Sequence, residues 1–169
     1  MSSQQMVDLN PPVRCVVPIQ DMAGEDSEDT NRLQLMAADA KAYLRSFAWC
    51  QSIEKQYFGA GIGGVIAVFL FHLRPTRPEI DKWLWVVVGD LPPAYLVTED
   101  SSTPSAAVAT YIREMKRWID LARSNRASPD IIPVNMEPTP EGARQLSSRL
   151  QFLEGVVLQR FREEEIERA

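Results

Sequence analysis

Two runs decide the fold: Val65-Ile66-Ala67-Val68-Phe69-Leu70-Phe71-His72-Leu73 and, after nine intervening residues, Trp83-Leu84-Trp85-Val86-Val87-Val88. Both are rich in the β-branched and aromatic residues that suit a pleated surface. Neither alternates apolar with polar residues. Each therefore predicts a strand covered on both faces, by helices or by a second subunit. The link from Arg74 to Lys82 holds Pro75 and Pro78 and is short enough for an antiparallel hairpin. A third strand, Ala94 to Thr98, follows the turn Gly89-Asp90-Leu91-Pro92-Pro93, which gives a three-stranded antiparallel meander.

On either side of the meander the spacing becomes helical. Leu33, Met36, Ala40, Tyr43, Phe47 and Cys50 recur at three- and four-residue steps, predicting one helix from about Thr30 to Phe58. Thr30 or Asn31 would cap its start and Gly59 would close its end. Downstream, Thr103 with Pro104 marks a helix start, and Val108, Tyr111, Ile112, Met115, Trp118, Ile119 and Ala122 form its apolar stripe. Ser128 to Pro138 reads as a loop anchored by Ile131, Ile132 and Val134. Thr139 with Pro140 repeats the start signal, and Ala143, Leu146, Leu150, Leu153, Val157 and Phe161 trace a last helical face. The expectation is an α+β domain of order α-β-β-β-α-α spanning residues 31–165. An acidic flexible leader, residues 1–30, precedes it, and a frayed tail, residues 166–169, follows. Within the leader, Val13 to Ile19 has the composition of an edge strand, since Pro18 disfavours a central place.

Composition narrows the function classes. The chain has 169 residues, is 45% hydrophobic and carries a formal net charge of −5, which suits one domain with a sizeable core. Residues 1–30 hold six acids and one base, leaving 17 of each sign in the remainder. No cationic surplus exists for nucleic acid, so no nucleic-acid partner is expected. The two cysteines, Cys15 and Cys50, read as free thiols in a reducing, cytoplasmic setting. No basic region followed by an apolar core opens the chain, and the longest apolar stretch is too short to span a bilayer. Neither a secretory signal nor a membrane partner is expected.

With one histidine and two cysteines, a metal site would lean on carboxylates, and neither a metal nor a cofactor is expected. Gly59-Ala60-Gly61-Ile62-Gly63-Gly64 satisfies GxGxxG, but in the order helix, glycines, strand. That order turns a helix C-terminus toward any phosphate, which disfavours nucleotide binding. Cys50 would lie in the C-terminal half of its helix, where the dipole opposes a thiolate. His72 shares a strand face with Val68 and Leu70. Asp90 and Glu99 sit at strand ends, where catalytic or cation-binding acids gather and where ordinary turns also place them. Trp83 and Trp85 share a face, with Tyr95 close in sequence; such a stripe is core under helices, or an interface where no helix covers it. Arg113, Lys116, Arg117, Arg123 and Arg126 form a basic helix face that an acidic segment could meet.

The unit from Trp83 through Asp90 to Val97, with Tyr57-Phe58-Gly59 before it and Ile132-Pro133-Val134-Asn135 after it, resembles an uncharacterised family of small bacterial domains. That resemblance covers roughly residues 40–160 and implies no activity and no functional residues. Two expectations follow from the residues. The first is a non-catalytic protein-interaction or adaptor domain, of which an immunity-type protein is one version, self-associating through the aromatic sheet face or meeting a protein partner. The second is a small-molecule binder or enzyme with a carboxylate and histidine site at the strand ends. The binding candidates are His72, Trp83, Trp85, Asp90, Tyr95, Glu99 and Asn135; no catalytic residue is assigned.

Overall fold

The computed structural model describes residues 10–124 and 139–168. It is a mixed helix and sheet structure built on a five-stranded antiparallel sheet in sequential order, β1 (Val17–Pro18), β2 (Cys50–Ile62), β3 (Ile66–Pro75), β4 (Trp83–Gly89) and β5 (Ala94–Val97). Helix α1 (Ser27–Arg45) covers one face; α2 (Pro104–Arg123), α3 (Pro140–Phe152) and α4 (Leu158–Arg168) cover the other. The meander is present as expected, with Phe71 opposite Leu84 and Trp85 opposite Leu96. Two strands are added to it.

The predicted long helix is the principal correction. It ends at Arg45, and Cys50 to Ile62 is strand, so Cys50 and Gly59 lie in β2 rather than in or after a helix. Ser46 Oγ donates to the Tyr43 carbonyl at 2.6 Å, and the Cys50 N–H closes a turn on the Phe47 carbonyl at 3.1 Å. Beyond that turn β2 pairs with β3 along nearly its whole length, which outweighs the helix propensity of Glu54-Lys55-Gln56. Register irregularities fall between Cys50 and Ser52, Ile53 and Lys55, and Phe58 and Ala60. Each breaks the alternation by which a strand is recognised.

The helix also begins earlier than expected, with Asp26 as the cap in place of Thr30 or Asn31. The Asp26 side chain accepts from the Asp29 N–H at 2.8 Å. Asp29 in turn accepts from the N–H groups of Glu25, at 2.9 Å, and Gly63, at 2.7 Å. One carboxylate thus joins the chain before α1, the first turn of α1 and the β2–β3 turn. The order of elements is therefore β-α-β-β-β-β-α-α-α, in place of α-β-β-β-α-α.

The glycine run serves close packing. A Cβ on Gly61 would stand 2.6 Å from Leu33 of α1, and one on Gly59 would stand 2.9 Å from Pro104 of α2. Gly64, at φ +79°, turns the chain into β3. The double coverage inferred for the two β runs holds, and helices supply it. Phe69, Phe71, Leu84 and Val86 pack under α1, while Leu70, Trp85 and Val87 pack under the other helices. The last helical stripe is buried as read, and α3 runs through a π-helical segment, Leu153–Val157, directly into α4. Across the protein, Glu165 of α4 accepts from the Ser105 N–H at 2.7 Å and the Ser105 hydroxyl at 2.6 Å, so a carboxylate sits at the N-terminus of α2.

Candidate functional site

The surface with the densest chemistry lies where α1 ends beside β5. Tyr43 points off the last turn of α1, and the turn that follows the helix places Phe47 and Trp49 next to it. The Trp49 carbonyl accepts the Thr76 N–H at 2.8 Å, fixing this turn to the β3–β4 connection. Alternation along β5 buries Ala94 and Leu96 under α2 and turns Tyr95 and Val97 toward the α1 side. Phe47 stacks on Trp49 with centroids 4.9 Å apart. Tyr95 meets both edge-on, at 5.2 Å from Phe47 and 5.3 Å from Trp49, and Tyr43 meets Phe47 edge-on at 5.2 Å. These are favourable aromatic geometries, and all four rings remain partly open to water.

Beside the rings is an open cleft of about 520 Å³, whose walls include Met36, Asp39, Tyr43, Val88, Asp90 and Pro93. Tyr43 belongs to both features. Burial, reinforced by Tyr95, pushes its hydroxyl up to about 12, with a hydrogen bond to the Tyr95 backbone pulling partly the other way. Asp39 and Asp90 are exposed, and among the described residues no cationic side chain lines the cleft. Asp90 meets Arg149 of α3 at 3.4 Å in a surface pair that contributes little to stability.

Of the residues expected from sequence, Asp90 and Tyr95 come to this one surface through Tyr43. His72 and Trp83 come together elsewhere, stacked 4.5 Å apart on the opposite face, with Tyr57 at 6.0 Å from Trp83. Trp85 is fully buried and its indole N–H donates to the Ser101 carbonyl at 2.9 Å. Glu99 is exposed in the connection to α2. Antiparallel pairing of β4 with β5 puts Asp90 and Glu99 beyond opposite ends of these strands, on the order of 20 Å apart by strand rise. Asn135 lies outside the described residues, as do Ile131, Ile132 and Val134. Tyr43, Phe47, Trp49 and Asp39 are the residues that sequence reading did not assign to a site. The signal for three of them was the density of aromatic residues just before β2.

Cys50, now on β2 beside this turn, has its thiol pushed up by burial, with Arg45 opposing, so the neutral thiol is favoured. Neither Cys15 nor Cys50 is in a disulfide. Among the described residues no group of three or more His, Cys, Asp and Glu side chains could hold a metal ion. No described helix is long and apolar enough to cross a membrane. Comparison with protein-family models, with curated proteins and with solved structures finds no match.

Proposed function

We propose that this protein is a non-catalytic protein-interaction domain that docks its partner where α1 meets β5. The observation behind this reading is the cluster of Tyr43, Phe47, Trp49 and Tyr95, four partly open rings at the edge of the sheet. Tyrosine and tryptophan in such settings dominate binding energy, because they bury a large area at little conformational cost. Val97, 41% exposed on the same side of β5, extends the apolar patch. The sheet aromatics Phe69, Phe71 and Trp85 are core and offer no contact surface. The free thiols suit a reducing compartment such as the cytoplasm.

Photo-cross-linking in the host tests the proposal. A benzophenone side chain at Val97 should yield a discrete heavier adduct, and the same group at exposed Glu163 on α4 should not. Trp49→Ala should abolish the adduct while the melting curve shows a folded protein; Tyr95→Ser replaces it should Trp49→Ala not fold. Absence of an adduct at Val97, or an adduct indifferent to these substitutions, overturns the reading.

A further inference from the structure

We infer that the partner supplies a sixth strand to the sheet, pairing with β5 as an extended segment that carries a basic residue beside an apolar one. This rests on the docking surface proposed above and specifies what occupies it.

The two edges of the sheet differ. On the β2 side, β1 covers Tyr57 and Phe58 and contributes Pro18, which has no N–H. The rest of that edge carries the charged pair Glu54 and Lys55 and two register irregularities between Cys50 and Lys55. Charges, proline and bulges are the devices by which natural edges discourage pairing. Within the four residues of β5 there is none of these, and Pro93 and Glu99 stand only outside it. Ala94-Tyr95-Leu96-Val97 is uncharged, lacks proline and pairs with β4 in unbroken register. Its outer groups have no strand partner among the described residues; the Tyr95 backbone bonds the Tyr43 hydroxyl, a bond an added strand would take over. A sheet edge without a strand partner beside a hydrophobic platform is the geometry of strand addition, where backbone bonds give affinity and alternate side chains give specificity.

Charge decides which strand. At the start of β5 lies the cleft with Asp39 and Asp90 on its walls and no cation among its described lining residues; Arg149 reaches Asp90 only as an exposed pair. At the other end Glu99 and Asp100 follow Val97. A second copy pairing antiparallel through β5 would bring its acidic Glu99–Asp100 end to the end of the sheet that carries Asp90, acid toward acid, which is unfavourable. A basic side chain on a foreign strand instead enters the cleft, and its neighbours lie on Tyr95 and Trp49.

A randomised display library of nine-residue peptides, selected on the full chain, tests this. Enrichment in Lys or Arg beside β-branched or aromatic residues, with depletion of proline, is expected. For a selected peptide, Lys/Arg→Glu replacement should weaken binding at least tenfold, and N-methylation of alternate backbone amides should abolish it. Asp39→Asn combined with Asp90→Asn, both exposed, should weaken binding about fivefold without shifting the melt. Bound peptide should slow amide exchange in β5. Enrichment in acidic or proline-rich sequences, failure to select any peptide, or unaltered binding after N-methylation overturns strand addition. So does a dimer in solution that Val97→Lys dissociates. An intact Val97 cross-link with N-methyl-insensitive peptides leaves the docking surface standing and removes the added strand. Loss of the cross-link with strand-like peptide binding retained removes the cellular role instead.

Discussion

From opposite sides of the sheet, Tyr43 and Tyr111 converge on the Pro92–Pro93 turn. Tyr111 donates its hydroxyl to the Pro92 carbonyl at 2.6 Å, while Tyr43 shares a cleft wall with Pro93. Burial pushes both hydroxyls above the ordinary tyrosine range, Tyr43 to about 12 and Tyr111 further still, where the charge of Tyr43 adds to the effect. A phenol whose folded pKa exceeds its unfolded value near 10 favours the folded state fully below that value. The advantage is lost as pH climbs through the folded pKa. The protein should therefore hold its stability from neutral pH to about pH 9.5 and lose it between pH 10 and 12, Tyr43 accounting for on the order of 2 kcal/mol of the loss. Thermal melts across that range, with tyrosinate absorbance recorded alongside, make the check. Tyr43→Phe should flatten the decline. An equally steep decline in the variant would mean that Tyr43 is not the group responsible.

Among elements, β2 shows how far periodicity carries and where it stops. The runs that became β3 and β4 were legible because nothing interrupts them, and the stripes of α2 and α3 were legible for the same reason. The boundary after Arg45 was not. Phe47 and Cys50 continue the spacing of Leu33, Met36 and Ala40 by coincidence, and Ile53-Glu54-Lys55-Gln56 is locally compatible with a helix. Only pairing with β3, from residues further along the chain, makes this segment a strand, and its irregularities erase the alternation that would have revealed it. The aromatic cluster was hidden by the same error. Tyr43 and Phe47 read as helix core, whereas the turn they flank opens their face to Tyr95. The glycines carry a matched prediction. Gly61→Ala sets a methyl 2.6 Å from Leu33 and should cost about 1–3 kcal/mol. Gly155→Ala, in the π-helical segment with open space around it, should instead stabilise by about 0.5–1 kcal/mol. Urea midpoints of the two variants, shifted in the same direction, would sink this account of the packing.

The sheet is a shared wall between two hydrophobic cores. Leu33 stands at 0% exposure in the α1 layer, and Leu146 at 0% in the layer of the other helices. The cores do not mix, yet β3 contributes Phe69 and Phe71 to one and Leu70 to the other from adjacent positions. Neither layer can dissolve without exposing one face of the same strand, so both should be lost together. One tie joins the two layers, Glu25 beside α1 with Arg160 of α4, and Asp29 pins α1 to the sheet through the Gly63 N–H. Leu33→Ala and Leu146→Ala should each lower stability by about 3–5 kcal/mol, since each leaves a cavity in a closed core. Because the two sites share no partners, the losses should add to within about 0.5 kcal/mol in the double variant, provided the parent is stable enough to bear both. Urea unfolding followed by tryptophan fluorescence and by far-ultraviolet circular dichroism should superimpose for the parent and for each single variant, with unchanged slope. Trp85 and Trp118 report from one layer and Trp49 from the edge of the other, so fluorescence samples both. Were Leu33→Ala to melt α1 in a separate early transition while the Trp85 environment stayed native, the wall would be holding two independent layers, and the docking surface at the end of α1 would belong to the weaker one.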